Sequence, residues 1–243
     1  MSYDPYQSSS TPPYSAADTS IDAGLQNYMR GVYNTMGLGL GVTGFVAFMV
    51  ANTPALFNAI FHTPLVWVAL FAPMIFLWMG FTPGRIARMN SAKLRLNFYI
   101  FAGIMGLSFA SLFQIFTGAS IARAFFITSA MFAGTSLYGY TTRRDLTGIA
   151  SFLIMGMMGI FFAALINIFL HSSMTHFIIS IISVVVFTGL TAFETQRLKE
   201  TYRSGLAYNE TNAKVALMGA LNLYMSFINL FQVILQFTGS RDR

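Results

Sequence analysis

The chain has 243 residues, of which 55% are hydrophobic and only 9% charged, and it carries a net charge of +6 and no cysteine. An average soluble domain has about 25% charged residues, so this composition argues against a soluble globular fold. The lack of cysteine excludes disulfides, thiolate catalysis and cysteine-ligated metals. The mean hydropathy of +0.61 and several runs of roughly 20 apolar residues predict a multi-pass, all-α membrane protein. We expect the lipid bilayer, and no nucleic acid, as its partner.

The first 20 residues differ in composition from the rest of the chain. Residues 1–20 are rich in serine, proline and tyrosine and have too few apolar residues to form a core, which predicts a disordered polar tail. They have neither the basic start nor the apolar run of a signal peptide, so we expect no cleavage. Residues 21–240 are predicted to form a seven-helix membrane domain, which starts with a short amphipathic lead-in at residues 21–34.

Seven apolar segments are predicted to cross the membrane after this lead-in. They are residues 35–51, 64–81, 96–116, 123–140, 147–170, 176–194 and 214–238. In the first segment, the spacing of Gly37 and Gly41 permits close helix contact, and Gly103 and Gly106 offer a similar small-residue surface on the third. We expect tight helix packing at these glycines.

The basic residues between the segments predict the orientation, because short cytoplasmic loops carry an excess of lysine and arginine. Seven crossings place eleven basic residues, from Arg30 to Lys214, on the side of the N-terminus. Only Arg123, Arg241 and Arg243 fall on the other side. We therefore expect the cytoplasmic (inner) membrane as the location, with the N-terminus in the cytoplasm and the C-terminus outside.

Polar residues form a stripe on the last segment and a matching face on the sixth. The stripe covers roughly a third of the helix circumference at about 100° per residue, and it consists of Asn222, Ser226, Asn229, Gln232 and Gln236. The face on the sixth segment consists of Ser180, Ser183, Thr191 and Glu194. Glu194 is the only acidic residue in the long apolar runs. Because polar groups in hydrocarbon need water or partners, we expect a water-lined path, with interhelical hydrogen bonding as the alternative.

Several stretches of the sequence resemble a known family in the same order along the chain. They are YGYTTRRDL at residues 138–146, ALINIFLHSS at 164–173, FTGLTAFETQRLKE at 187–200 and LNLYMSFINLF at 221–231. This combination resembles the bacterial branch of the Bax inhibitor-1-like family of membrane proteins. The resemblance implies seven helices, with the last one central and six wrapped around it. It also implies a calcium leak that is regulated by pH and linked to stress and cell survival.

The resemblance further implies a proton-sensing pair of acids, one at the end of helix six and one in helix seven. The matching positions here are Glu194 and Ser226, so the second acid is replaced by a residue that cannot ionise. Two carboxylates that share a site can titrate near neutral pH, whereas Glu194 alone depends on its burial and on nearby cations. We interpret Glu194 and Ser226 as a proton-sensitive gate, with a hydrated residue at a helix end as the alternative for Glu194. The candidate counter-ions of this gate are Arg197, Arg85 and Arg88.

The expected distance between Glu194 and Ser226 depends on where the last helix begins. If it begins at Lys214, Ser226 lies about 18 Å along its axis, whereas Glu194 lies at the cytoplasmic edge. The two residues meet only if the last helix begins well outside the hydrocarbon or if helix six tilts inward. We expect the former, because residues 214–219 are only weakly apolar.

Two functional hypotheses follow from these residues. The first is an ion leak, with Ca²⁺ as the permeant ion and no cofactor. A leak fits these residues better than a tight calcium site, because a tight site would need several carboxylates. The second, implied by the resemblance, is a regulator that binds other membrane proteins, such as a quality-control protease. The sequence has no HExxH, no intramembrane pair of aspartates and no GxSxG, so we expect neither an enzyme nor a metal site. For His62, His171 and His176, at outer helix ends, we expect interfacial anchoring, with zinc or proton binding as the alternative.

Overall fold

The computed structural model describes residues 16–202 and 210–240. Ten helices occupy these two stretches, which confirms the predicted all-α class. They are α1 (Ala16–Ala51), α2 (Pro54–Phe61), α3 (Leu65–Gly80), α4 (Pro83–Arg88), α5 (Ser91–Phe109), α6 (Leu112–Ile115), α7 (Gly118–Thr141), α8 (Thr147–Leu170), α9 (Ser173–Thr201) and α10 (Glu210–Thr238). Most of the predicted tail lies outside the described residues, as do Arg203, Arg241 and Arg243.

Six to seven of the helices within the described stretches could cross a membrane. The six that are long and apolar enough belong to α1, α5 with α6, α7, α8, α9 and α10. The seventh requires α2 and α3 to count as one span, although the two are bent by 84° at their junction. The second predicted segment corresponds to α3, which has 16 residues and is about 24 Å long.

Two predicted helix boundaries are wrong because helices continue beyond the most apolar residues. The lead-in and the first segment form one helix, α1, along which Leu25, Met29, Val32 and Met36 are all buried at helical spacing. Likewise α9 does not end at Glu194 but runs to Thr201. Hydropathy falls where charged residues begin, but a buried face that continues still stabilises the helix.

The glycines contact other helices at different positions from those expected. A Cβ atom at Gly37, Gly41 or Gly103 would meet nothing within 4 Å, so the prediction of tight packing there is wrong. The packed face of α1 instead contains Gly39, where a Cβ would lie 2.6 Å from the ring of Phe98. Only Gly106 matches the expectation, because a Cβ there would lie 2.6 Å from a backbone oxygen of α1. A glycine pair permits close approach, but the neighbouring helix need not lie on that face.

The last helix, α10, is the most enclosed of the candidate spans. It packs against α9, α7, α1 and α5, and 67% of its apolar window is buried, compared with 11% for α8. At its middle, the fully buried Tyr224 shares a 2.7 Å hydrogen bond with the hydroxyl of Thr43 on α1. The rings of Phe98 and Phe101 on α5 pack edge-on against that of Tyr224, so α1, α5 and α10 meet there.

The connections rich in basic residues meet at one end of the helix bundle. The side chain of Gln196 on α9 accepts a hydrogen bond from Leu146 N (2.9 Å) and donates one to Arg144 O (2.7 Å). Lys199 Nζ, one turn further along α9, donates to Tyr140 O at 2.6 Å. Lys214 Nζ on α10 donates to Ala87 O at 3.2 Å. The α4 region, the α7–α8 loop, the end of α9 and the beginning of α10 therefore lie together.

Candidate functional site

The side chains of Glu194 and Ser226 form a hydrogen bond between α9 and α10. The Ser226 hydroxyl donates to Oε2 of Glu194 at 2.9 Å. Ser226 is buried and Glu194 is half-buried. Helix α10 begins at Glu210, 16 residues or about 24 Å before Ser226, and α9 runs about 10 Å past Glu194. The contact therefore lies well inside both helices.

The threonines beside this contact form hydrogen bonds along their own helix. Thr191 Oγ1 donates to Phe187 O at 2.8 Å, and Thr195 Oγ1 donates to Thr191 O at 2.9 Å. Both side chains are fully buried. Their hydroxyls thus need no water or ligand, and Thr191, predicted to line a path, lies in a closed part of the interface.

The three predicted counter-ions do not form ion pairs with Glu194 within the described residues. Arg197, one turn further along α9, is exposed. Arg85 and Arg88 are exposed on the short helix α4. The polar contact of the Glu194 carboxylate is the hydrogen bond from Ser226. A counter-ion role for any of these arginines stays a prediction.

A polar cavity of ≈ 520 Å³ lies between α8, α9 and α10. Five predicted path residues line it, namely Ser180, Ser183, Asn229, Gln232 and Gln236. Two further polar residues, Asn167 and His176, complete the polar part of its lining. The sequence marks Asn167 as the one amide side chain in the apolar run of α8. That signal was not used in the prediction.

The amide side chains of this cavity have no hydrogen-bond partners in the part of the chain that the structure describes. Oδ1 of Asn167 is buried and unpartnered, and Asn229, Gln232 and Gln236 likewise lack partners there. Ser180 and Ser183, by contrast, donate to carbonyl oxygens of their own helix at 2.9 and 2.7 Å. The buried Oδ1 of Asn167 needs a partner from protein or water, so this cavity can hold water. Its amide oxygens can also ligate a cation.

The comparison with known families decides what kind of protein carries this site. The profile of the family described as "Inhibitor of apoptosis-promoting Bax1" matches residues 25–243. The chain belongs to this family, which is the Bax inhibitor-1-like family. It is a multi-pass integral membrane protein, as the composition predicts.

Relatives from several bacteria match this Bax inhibitor-1-like protein over nearly their whole length. An uncharacterised protein of Rickettsia prowazekii is 41% identical, and the match covers 91% of this chain and 93% of the relative. An uncharacterised protein of Caulobacter vibrioides is 39% identical, with 93% and 94% covered. The Escherichia coli K12 inner membrane protein YbhL is 38% identical, with 90% and 94% covered.

Two predicted path residues of this Bax inhibitor-1-like protein lie outside the polar cavity. Asn222 is exposed on α10, and Thr191 lies in the closed interface between the cavity and Glu194. The cavity reaches Phe187 on α9, which is about 10 Å along the helix from Glu194. The structure therefore shows a polar cavity and a carboxylate–hydroxyl contact on the same pair of helices, separated by a buried section.

Proposed function

We propose that this Bax inhibitor-1-like protein is a cation leak of the inner membrane, with Ca²⁺ as the permeant ion and a path between α9 and α10. The observation that carries this proposal is the Glu194–Ser226 hydrogen bond in line with a cavity of unpartnered amides. Intramembrane carboxylates are costly and tend to mark ion or proton pathways. In this proposal the described conformation is the closed one.

The composition of the path favours transient rather than tight binding of Ca²⁺. Calcium takes six to eight oxygen ligands, and tight sites contain several carboxylates. Among the described residues, no group of three or more His, Cys, Asp or Glu side chains occurs that could hold a metal ion. The amide oxygens of Asn229 and Gln232 and the single carboxylate of Glu194 would hold the ion weakly, as a leak requires.

The pH sensitivity of this path would depend on Glu194 alone. When protonated, the acid can still share a hydrogen bond with Ser226, but it loses the charge that attracts a cation. The nearest cation along its own helix is Arg197. Ser226 faces it from α10, where the family pattern has a second acid. We therefore expect a single, shallow titration rather than the behaviour of a coupled pair.

The membrane arrangement in this proposal follows the family plan. Helix α10 is the central helix, wrapped by the others, and its extensive burial supports this. With seven crossings the N-terminus is cytoplasmic and the C-terminus outside. The contacts of Gln196, Lys199 and Lys214 support this orientation, because they bring the basic connections to one end of the bundle.

A flux experiment tests the proposal. Purified protein is reconstituted in liposomes that contain a calcium dye, and the external pH is stepped between 6 and 8. The wild type should pass Ca²⁺, Glu194→Gln should lose the pH dependence, and Ser226→Asp should make it steeper. Glu200→Gln removes an exposed acid from the same helix and should behave as the wild type. Flux equal to that of empty liposomes at every pH would contradict the proposal and favour the regulator hypothesis.

If no flux is found, the regulator hypothesis has its own test. Removal of residues 1–20, the predicted polar tail, should abolish the capture of membrane-protein partners from solubilised membranes and leave the membrane domain folded. An unchanged set of captured proteins would count against this second hypothesis.

A further inference from the structure

A groove runs between α1 and α7, two helices that each pack mainly against other helices. Helix α1 packs against α5 and α10, and α7 packs against α9 and α10. Two cavities open between α1 and α7. From the first cavity to the second, the lining residues rise in number along α1 and fall in number along α7, so the two helices are antiparallel. One is lined by Arg30 and Tyr33 on α1 and by Tyr140 on α7. The other lies further along both helices, from Leu40 on α1 to Gly118 at the start of α7.

The cavity beyond Leu40 has an apolar interior. Its volume is ≈ 410 Å³, and its lining is aliphatic and aromatic except for Thr43 and the glycines. The hydroxyl of Thr43 is already bonded to Tyr224 and to backbone oxygens, including Ala102 O at 3.0 Å. No side chain that lines this cavity therefore has a free polar group for water. Apolar cavities of this kind stay dry and take apolar occupants.

The cavity at the other end of the groove is polar on one side. Its volume is ≈ 580 Å³, and its polar lining residues are Gln26, Arg30, Tyr33, Ser136 and Tyr140, together with apolar residues. Within the described chain, the guanidinium of Arg30 and the hydroxyls of the two tyrosines have no hydrogen-bond or ion-pair partner. Arginine and tyrosine at a membrane–water interface suit a phosphate headgroup.

The distance between the two cavities matches a lipid. Leu40 lies ten residues after Arg30 on α1, which is about 15 Å of helix. One leaflet contributes about half of the roughly 30 Å hydrocarbon thickness. A headgroup bound at Arg30 would therefore place the end of an acyl chain in the apolar cavity.

We propose that the α1–α7 groove binds one glycerophospholipid of the bilayer, with its anionic headgroup at Arg30 and an acyl chain in the cavity beside Gly44. The charge of Arg30 at one end and the dry aromatic lining at the other select an amphiphile with this polarity. A neighbouring protein helix would fill the apolar part but would leave Arg30 unpaired. This site is separate from the α9–α10 path and does not depend on the proposed ion flux.

Native mass spectrometry of the full chain, purified in mild detergent, tests this proposal. The wild type is mixed with phosphatidylglycerol or phosphatidylethanolamine, and it should retain one lipid, with phosphatidylglycerol preferred. Arg30→Gln should reduce that preference about fivefold, the effect of one cation near anionic headgroups. Arg95→Gln removes an exposed cation that lines neither cavity and should leave the preference unchanged. Equal retention of both lipids by the wild type and by Arg30→Gln would overturn the headgroup assignment.

Two glycines of α1 provide a matched pair for the acyl chain. A Cβ at Gly44 or Gly31 would meet nothing within 4 Å, but only Gly44 lines the apolar cavity. Gly44→Leu should abolish lipid retention, whereas Gly31→Leu should keep it. A phosphatidylglycerol with a diazirine on its acyl chain should label Phe48 or Phe125 in the wild type, a readout that needs no variant. Labelling elsewhere, or a protein dimer that Gly44→Leu dissociates without any lipid, would overturn the proposal.

Discussion

Ser226→Ala is the substitution that tests the proposed gate most directly. It removes the hydroxyl that donates to Glu194 and changes little else, because Ser226 is a small buried residue. The carboxylate of Glu194 then loses its hydrogen-bond donor from α10. If this bond holds the path closed, its loss shifts the closed–open equilibrium towards the open form.

The size of the shift follows from the kind of bond that is lost. Hydrogen bonds to charged groups contribute about 1.5–3 kcal/mol in proteins, whereas couplings between membrane helices average about 0.6 and reach about 1.7 kcal/mol. For a buried donor and a half-buried acceptor we take about 1.4 kcal/mol, which is a factor of about ten in an equilibrium constant. We therefore expect the Ca²⁺ leak at neutral pH to rise about tenfold.

Liposome flux at matched protein density measures this change, and two comparisons separate gating from packing. Thr128→Val removes another buried hydroxyl, which is bonded only to a carbonyl of its own helix at 2.7 Å, and should leave the flux unchanged. Adding Ser226→Ala to Glu194→Gln should have a smaller effect than Ser226→Ala alone, because the charged acceptor is already gone. A change of less than about twofold in correctly folded Ser226→Ala protein would refute the closed-state role of this bond.

Three further predictions concern stability. Thr43→Val should destabilise the protein by about 1–3 kcal/mol, because it leaves the buried Tyr224 hydroxyl unpaired. Tyr224→Phe should cost only about 1 kcal/mol, because Thr43 keeps its backbone acceptors. Unfolding by SDS titration measures both losses, and equal losses would contradict this difference between the two hydroxyls. Gly139→Ala should lower the melting temperature, because the added Cβ would clash with the backbone of α9. A Cβ at Gly134 would point into open space, so Gly134→Ala should leave the melting temperature unchanged. Equal melting temperatures would mean that α7 and α9 can separate easily. Hydrogen bonds from Thr147 lower the pKa of Asp145. The charged Asp145 carboxylate therefore stabilises the first turn of α8 at neutral pH, and this stabilisation is lost as the pH falls through the lowered pKa. Hydrogen exchange should show this loss in the wild type but not in Asp145→Asn, and identical pH profiles would contradict it.

The apolar segments and the polar stripe could be predicted from the sequence because both are local patterns. Helix α8 begins and ends at the predicted residues, because a charged turn precedes it and a polar turn follows it. The 3.6-residue period placed Asn229, Gln232 and Gln236 on one face, and the structure gathers them in one cavity. The meeting of Glu194 with Ser226 depends on where α10 begins and on how α9 and α10 pack, and neither can be read from the sequence of one segment.

The remaining features depend on tertiary contacts that no single segment reveals. The packed face of α1 is set by Phe98 and Tyr224 from other helices, so the glycines at 37 and 41 gave a misleading signal. Helix α2 is too short for a span and lies between two apolar segments, where a loop was the simpler prediction. The link between Gln196 and the α7–α8 loop joins residues about fifty positions apart. Such pairs are visible only once the chain has folded.

The buried section between the polar cavity and Glu194 explains why a leak of this design would be slow. Leu190 and Thr191 on α9 are both buried there, and the Thr191 hydroxyl is used within its own helix. An ion that leaves the cavity must therefore cross a dry, largely apolar layer before it reaches the carboxylate, where charge is costly. Removal of the Ser226 hydroxyl weakens the contact at one end of this layer but leaves the apolar packing in place. For this reason we expect a roughly tenfold increase in leak from Ser226→Ala and not a fully open pore.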